Sequence, residues 1–184
     1  MSTFARSPEE AYQNDAYDPL LDDWFAGRHR GREHSRRELE ALVRALALRP
    51  DLWRGWVAHS PLERIYTRLH LDENLEVWLI CWSRLQDTGF HDHDRSRGAV
   101  AVLDGAVAER RLGIGPVTPA TAVYGVGSTF SFGAAHIHDV SQTGRSPATS
   151  LHAYSPRLGQ MGFYEVGADG LLSRRAGGAA EEFC

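Results

Sequence analysis

Between residues 65 and 166 the chain is a succession of short β-prone runs, at 65–69, 75–82, 99–103, 106–111, 121–124, 129–132, 148–154 and 162–166, separated by glycine, proline and acidic turns. This punctuation constrains the fold more than any other feature. Many short strands with glycine and proline punctuation argue for a sandwich or barrel rather than a doubly wound parallel sheet. Asp104-Gly105, with apolar residues on both sides, marks a hairpin, and Asp72-Glu73-Asn74 marks another turn. The front of the chain is different. Ser7-Pro8-Glu9-Glu10 has the pattern of a helix start, and Ser35-Arg36-Arg37-Glu38 is a capping box followed by Leu39, Leu42, Val43 and Leu46 at helical spacing. Leu52, Trp53, Trp56 and Val57 form a further short amphipathic piece before the β region opens. The expected organisation is a helical segment over 1–62 packed on a β-barrel over 63–167, with a loosely held tail rich in glycine and alanine over 168–184.

A chain of 184 residues suits one well-buried domain. No apolar run is long enough to cross a bilayer and none follows the N-terminus as a leader, so neither membrane nor export is expected. Cys81 lies inside the apolar run 77–82 and Cys184 ends the chain, which is no disulfide framework, and a reducing cytoplasm fits best. All 20 basic residues are arginine and the net charge is −4. The arginines at 28–32 sit among acids, without a basic domain or an aromatic-plus-basic stripe, so no nucleic-acid partner is expected.

The chemistry concentrates in Gly89-Phe90-His91-Asp92-His93-Asp94. On an extended strand His91 and His93 point to one side and Asp92 to the other, which half-builds a chelate inside a barrel. A third imidazole is available from His136-Ile137-His138, expected on a second strand of the opposite wall. Ser150, His152 and Tyr154 alternate along one run and so share a face, as do Tyr66 and Arg68. A buried arginine needs an anion, and its planar fork matches a carboxylate. For Arg68 that anion is either a ligand or one of Asp72, Glu73 and Glu76. His29, His34 and His59 lie in the helical front end, where solvated or capping roles fit better than metal ligation.

In order, the chain carries Tyr66-Thr67-Arg68, Ile80-Cys81-Trp82, His91-Asp92-His93, Leu103-Asp104-Gly105, His138-Asp139-Val140 and Ser150-Leu151-His152-Ala153-Tyr154-Ser155-Pro156, within a resemblance that covers roughly residues 35 to 166. In that order and spacing the chain resembles the cysteine dioxygenase family of thiol dioxygenases, of bacterial type. The resemblance implies a cupin barrel, a double-stranded β-helix or jelly-roll, that is mainly β with N-terminal helices. It implies one Fe(II) per chain on His91, His93 and His138, with His136 as the rival third ligand. It further implies a relay through Ser150, His152 and Tyr154, and a substrate carboxylate on Arg68 beside Tyr66. Ordinary cupins place a glutamate ligand near Gly98, where this chain has no side chain to offer. Animal members carry there a cysteine linked to the tyrosine equivalent to Tyr154, so Tyr154 is expected as a free phenol.

The implied reaction is oxidation of L-cysteine by O2 to cysteine sulfinic acid, with the thiol and O2 as the only partners, in a monomer or weak homo-oligomer. Two alternatives stand beside it: the same iron chemistry on 3-mercaptopropionate, cysteamine or a larger thiol, and a non-catalytic cupin that binds a small ligand.

Overall fold

The computed structural model describes residues 15–16, 18–28, 31–112, 120–167 and 172–178. Helix α1 (Pro19–Ala26) starts at Asp18, whose side chain accepts from the Leu20 amide, with Pro19 at the first helical position. The start expected at Ser7 lies outside the described residues, and the Asp-Pro pair that opens α1 carries a similar signature. Helix α2 (Arg36–Ala47) has both halves of its Ser35/Glu38 capping box formed, and Leu39, Leu42, Val43 and Leu46 are its buried stripe. Helix α3 (Pro50–Trp53) runs into a single 3-10 turn at Arg54–Trp56.

Eleven strands follow among the described residues: β1 (Ile65–Leu71), β2 (Glu76–Trp82), β3 (Phe90–Asp92), β4 (Arg97–Asp104), β5 (Ala106–Leu112), β6 (Ala120–Gly125), β7 (Thr129–Phe132), β8 (Ile137–Thr143), β9 (Ala148–Ser155), β10 (Gln160–Val166) and β11 (Leu172–Gly178). They form two antiparallel sheets, ordered β1-β2-β9-β4-β7 and β11-β10-β3-β8-β5-β6. Gly105, between β4 and β5, has φ +65°, and a side chain there would run into Pro147 and Ala148, so the hairpin needs glycine.

Period-two alternation sorts the first sheet into two faces. Leu69, Val77, Leu79, Ala99, Ala101, Leu151 and Ala153 face outward and are covered by the buried stripes of α1 and α2. The opposite face sends Tyr66, Trp78, Ile80, Trp82, Val100, Val102 and Tyr154 inward, where they meet Val107 and Val140 from the second sheet. With both faces covered, β2 and β9 are buried along their whole length. The result is a cupin-like double sheet with helices on one outer wall. No described helix is long and apolar enough to cross a membrane.

Two local expectations are corrected. Residues 172–178 are not a loose tail: as β11 they pair with β10 along its full length, closing an edge that would otherwise leave a row of unpaired backbone groups. His34 is not solvated. It is 6% exposed, its amide donates to Ser155 Oγ at 2.7 Å, and its carbonyl accepts from Arg97 at 3.1 Å.

Leu46 is fully buried beneath α2, remote from the inward face. Leu46→Ala is expected to cost about 2 to 5 kcal/mol, read as a lower urea midpoint with an unchanged slope.

Candidate metal centre

His91 on β3, His93 just beyond its end and His138 on β8 are 1%, 1% and 2% exposed, and one nitrogen of each lies within 4.8 Å of the others. His138 does not come from the opposite wall as expected. It is the direct cross-strand neighbour of His91 in the same sheet, because β8 lies beside β3. Two ligands on adjacent strands and a third two residues along converge because strand neighbours are close and alternate side chains share a face.

Hydrogen bonds fix which nitrogen of each ring faces inward. His91 Nδ1–H donates to the Gly89 carbonyl (3.0 Å) and His138 Nδ1–H to Glu109 Oε1 (3.0 Å), leaving both Nε2 lone pairs free to converge. The Nε2 atoms of His91 and His93 are 3.2 Å apart. Two imidazoles each about 2.1 Å from one divalent ion stand about 3.0 to 3.4 Å apart, so the donor set fits a metal. Burial drives the pKa values of His93 and His138 down to about 3, and that of His152 well below its ordinary value. Of the trio, His93 and His138 are thus held neutral, as ligands must be, and so is His152 beside them.

Glu109, which sequence reasoning missed, is 2% exposed on β5. Burial alone would raise its pKa, but hydrogen bonds from His136 and His138 outweigh this and bring it to about 2. Its signal was an acid two residues after Val107, at an inward position of an alternating strand. The same Oε1 receives His136 Nε2 at 2.8 Å. His136 therefore stands behind His138 and is directed at Glu109, forming with those two a second group that could hold a metal beside the all-histidine trio His91, His93 and His138.

Gly98 lies on β4 directly between Tyr154 and Phe132 on the neighbouring strands. A Cβ there would overlap the Phe132 ring. That ring stacks on His93 (4.8 Å, 22°) and meets His138 edge-on (4.6 Å). The space beside Tyr154 is thus filled by an aromatic ring that braces two of the clustered imidazoles.

Ser150, His152 and Tyr154 are buried on one face of β9 and joined in series, Ser150 Oγ to His152 Nε2 at 2.8 Å and His152 Nδ1 to Tyr154 Oη at 3.3 Å. Trp82 extends the chain by donating its indole N–H to Ser150 Oγ at 2.8 Å. An indole only donates, so Ser150 accepts from it and keeps its own hydrogen for His152 Nε2. His152 Nδ1–H then donates to the Tyr154 oxygen. The phenol ring is 5.0 Å from the His93 ring, centroid to centroid.

Tyr66 and Arg68 lie where the alternation placed them, Tyr66 packed edge-on against Trp78 at 5.6 Å and the Arg68 guanidinium over the same indole at 5.2 Å. Arg68 is already paired. Its Nε donates to Asp15 Oδ1 at 2.6 Å, and a second nitrogen lies 3.7 Å from the buried Glu76. Glu76 was among the acids considered for it; Asp15 arrives through an isolated parallel bridge to β1 that spacing does not reveal.

Two facing antiparallel sheets with a histidine trio on inward positions define a metal-binding cupin. The family model of cysteine dioxygenase type I matches residues 29–166, more than half of the chain, and the protein belongs to that family of dioxygenases. Among solved structures it is similar to the TT1209 protein of Thermus thermophilus (22% identity, 55% of this chain and 90% of that one, TM-score 0.49). It is also similar to a double-stranded β-helix domain protein of Klebsiella pneumoniae (13%, 64% and 89%, 0.48) and to an oxalate oxidase (18%, 56% and 56%, 0.47). Among curated proteins, none matches.

In the unfolded chain His93, His138 and His152 protonate near pH 6.5, whereas in the fold they stay neutral to a lower pH. Below about pH 6.5 the unfolded state binds more protons, so stability falls with pH, by up to about 1.4 kcal/mol per pH unit for each histidine. Urea melts of metal-free protein across pH 7 to 4 test this, and a flat profile would contradict neutral burial. Gly98→Cys is expected to displace Phe132, lowering stability by about 1 to 3 kcal/mol and weakening metal retention, without any thioether to Tyr154 visible by mass.

Proposed function

We propose that this protein is an iron-dependent cysteine dioxygenase that oxidises L-cysteine with O2 to cysteine sulfinic acid, both oxygen atoms entering the product. The observation that carries the reading is the convergence of three buried imidazoles with the hydrogen-bonded series Trp82, Ser150, His152 and Tyr154 at their side. One Fe(II) held by His91, His93 and His138 would supply a Lewis-acidic, redox-active centre that lowers the thiol pKa and passes electrons to O2.

The chain's own groups account for the rest. With imidazoles alone as ligands and no carboxylate among them, the charge of a bound metal would be left for an anionic thiolate. Tyr154 presents its hydroxyl hydrogen toward the charge that develops on oxygen, and His152 and Ser150 hold that hydroxyl in line. Phe132 and Tyr66 wall the site with apolar surface and keep water from competing. Arg68, on the inward face beside Tyr66, receives the substrate carboxylate in place of Asp15, whose side chain is 69% exposed and so gives way at little cost. A cytoplasmic location and no partner beyond the thiol and O2 complete the reading.

One observation favours a second substrate. Arg68 already meets two acids, which suits a thiol without a carboxylate, such as cysteamine, on the same centre. A non-catalytic cupin has no use for an ordered relay ending on a tyrosine hydroxyl.

Oxygen uptake by anaerobically iron-loaded protein, with L-cysteine, 3-mercaptopropionate and cysteamine in parallel and product mass detection, decides among these. Stoichiometric uptake with cysteine, giving a product two oxygen atoms heavier, is expected. His93→Ala and His138→Ala are expected to abolish it, and full activity in both would refute the assignment. Preference for cysteamine would retain the centre and overturn the role of Arg68.

A further inference from the structure

The histidines of β3 and β8 are each followed by an aspartate, Asp92 after His91 and Asp139 after His138. Alternation turns these side chains to the back of the sheet, yet both are buried, Asp92 at 7% and Asp139 at 0% exposure. Two carboxylates directly behind a ligand cluster need counter-charges. Each has one, and the two come from opposite flanks. Arg174 on β11 donates through Nε (2.9 Å) and Nη2 (3.2 Å) to Asp92, reaching over β10, where Gly162 leaves room because any Cβ would overlap the pair. Arg110 on β5 donates through Nε (2.6 Å) and a second nitrogen to Asp139, and its guanidinium reaches on to the Phe90 ring of β3 at 5.1 Å.

The remaining donors tie the same strands. Asp92 also accepts from Tyr164 Oη and the Gly162 amide of β10 and from the Asp94 amide, while Asp139 accepts from Thr88 Oγ1 (3.4 Å) in the lead-in to β3. Burial alone would raise the Asp92 carboxyl, but these partners hold it well below the usual carboxylate range. The backbone shares this work over fewer positions: within the strands β3 and β8 pair only through His91 and His138, with Asp87 bridging Ser141 and the Thr88 amide donating to the Val140 carbonyl (3.0 Å) just upstream, whereas β5 and β8 pair over seven positions.

We propose that Arg174 and Arg110 form a two-armed clamp behind the cluster, as positioning residues that fix the two His-Asp dipeptides and so set the separation of the ligand nitrogens. The inference rests on the metal-centre reading above and goes beyond it: Arg174 and β11 lie outside the family match, which ends at residue 166. The C-terminal strand is thus part of the machinery that shapes the site, and a chain ending at residue 166 would lose metal affinity.

The test uses the full chain with Co(II) as probe, measuring its dissociation constant by chelator competition and its coordination by visible absorption, well below the unfolding temperature. Arg174→Gln and Arg110→Gln are each expected to weaken Co(II) about tenfold, and the double variant about a hundredfold, with a changed absorption band, as for partners that hold a ligand from behind. Leu46→Ala is the control for lost stability alone and is expected to leave affinity and band unchanged. Should the glutamine variants not fold, Arg174→Lys and Arg110→Lys keep the charge without the fork, and a smaller loss of affinity in the same direction is expected. Affinity and band unchanged in the arginine variants that fold, beside a stability loss like that of Leu46→Ala, would overturn the clamp while leaving the metal centre intact. A wild-type protein that binds no Co(II) would overturn the centre, and the clamp with it.

Discussion

Three imidazoles with their lone pairs turned toward one another repel, and only a scaffold that denies them water and engages their far nitrogens keeps them so. Much of the second sheet answers to that constraint. Gly89 and Glu109 take the Nδ1 hydrogens of His91 and His138, Phe132 of β7 in the first sheet lies flat against His93, and the burial that makes His93 and His138 reluctant to protonate also keeps their lone pairs available. The first sheet contributes stiffness. Its outer face is fastened to α1 and α2 by leucine packing, so its inner face can carry Ser150, His152 and Tyr154 in series without yielding to the cluster opposite.

Gly98 shows how one missing side chain redistributes roles. A residue with a Cβ at that point would stand between Tyr154 and the imidazoles; its absence admits the Phe132 ring. The ring offers no donor and no charge, so the cluster remains purely imidazole, and Tyr154 is held in position by packing and by its bond with His152.

Much of this was legible in the sequence, for a definite reason. Alternation is a local property, so His91 with His93, Ser150 with His152 and Tyr154, and Tyr66 with Arg68 could be assigned to shared faces from spacing alone. The capping box at Ser35 and the hairpin at Asp104-Gly105 are likewise local chemistry. What escaped was whatever depends on which strands become neighbours. Spacing does not say that β8 pairs with β3, and so the third imidazole was expected from the opposite wall. Nor does it say that β11 would close the edge beside β10, because glycine and alanine around it dilute the pattern of Leu172-Ser173-Arg174. Glu109 was visible as an inward acid, but its partners are 27 and 29 residues away. The bond between Asp15 and Arg68 is equally non-local.

The placement of charge follows from the same topology. Among the described residues, the carboxylate nearest the imidazole cluster is Glu109, and it lies behind His138 rather than among the ligand nitrogens. From there it acts through the ring: it holds Nδ1–H, raises the donor strength of Nε2 and does not occupy a coordination position. Asp92 and Asp139 stand on the far side of the sheet, each matched by an arginine, so their fields are largely cancelled before they reach the interior. A divalent ion at the cluster would therefore keep most of its positive charge directed into the barrel. The acids of the second sheet thus stand behind the ligand nitrogens, while Glu76, buried at an inward position of the first sheet, is matched by Arg68.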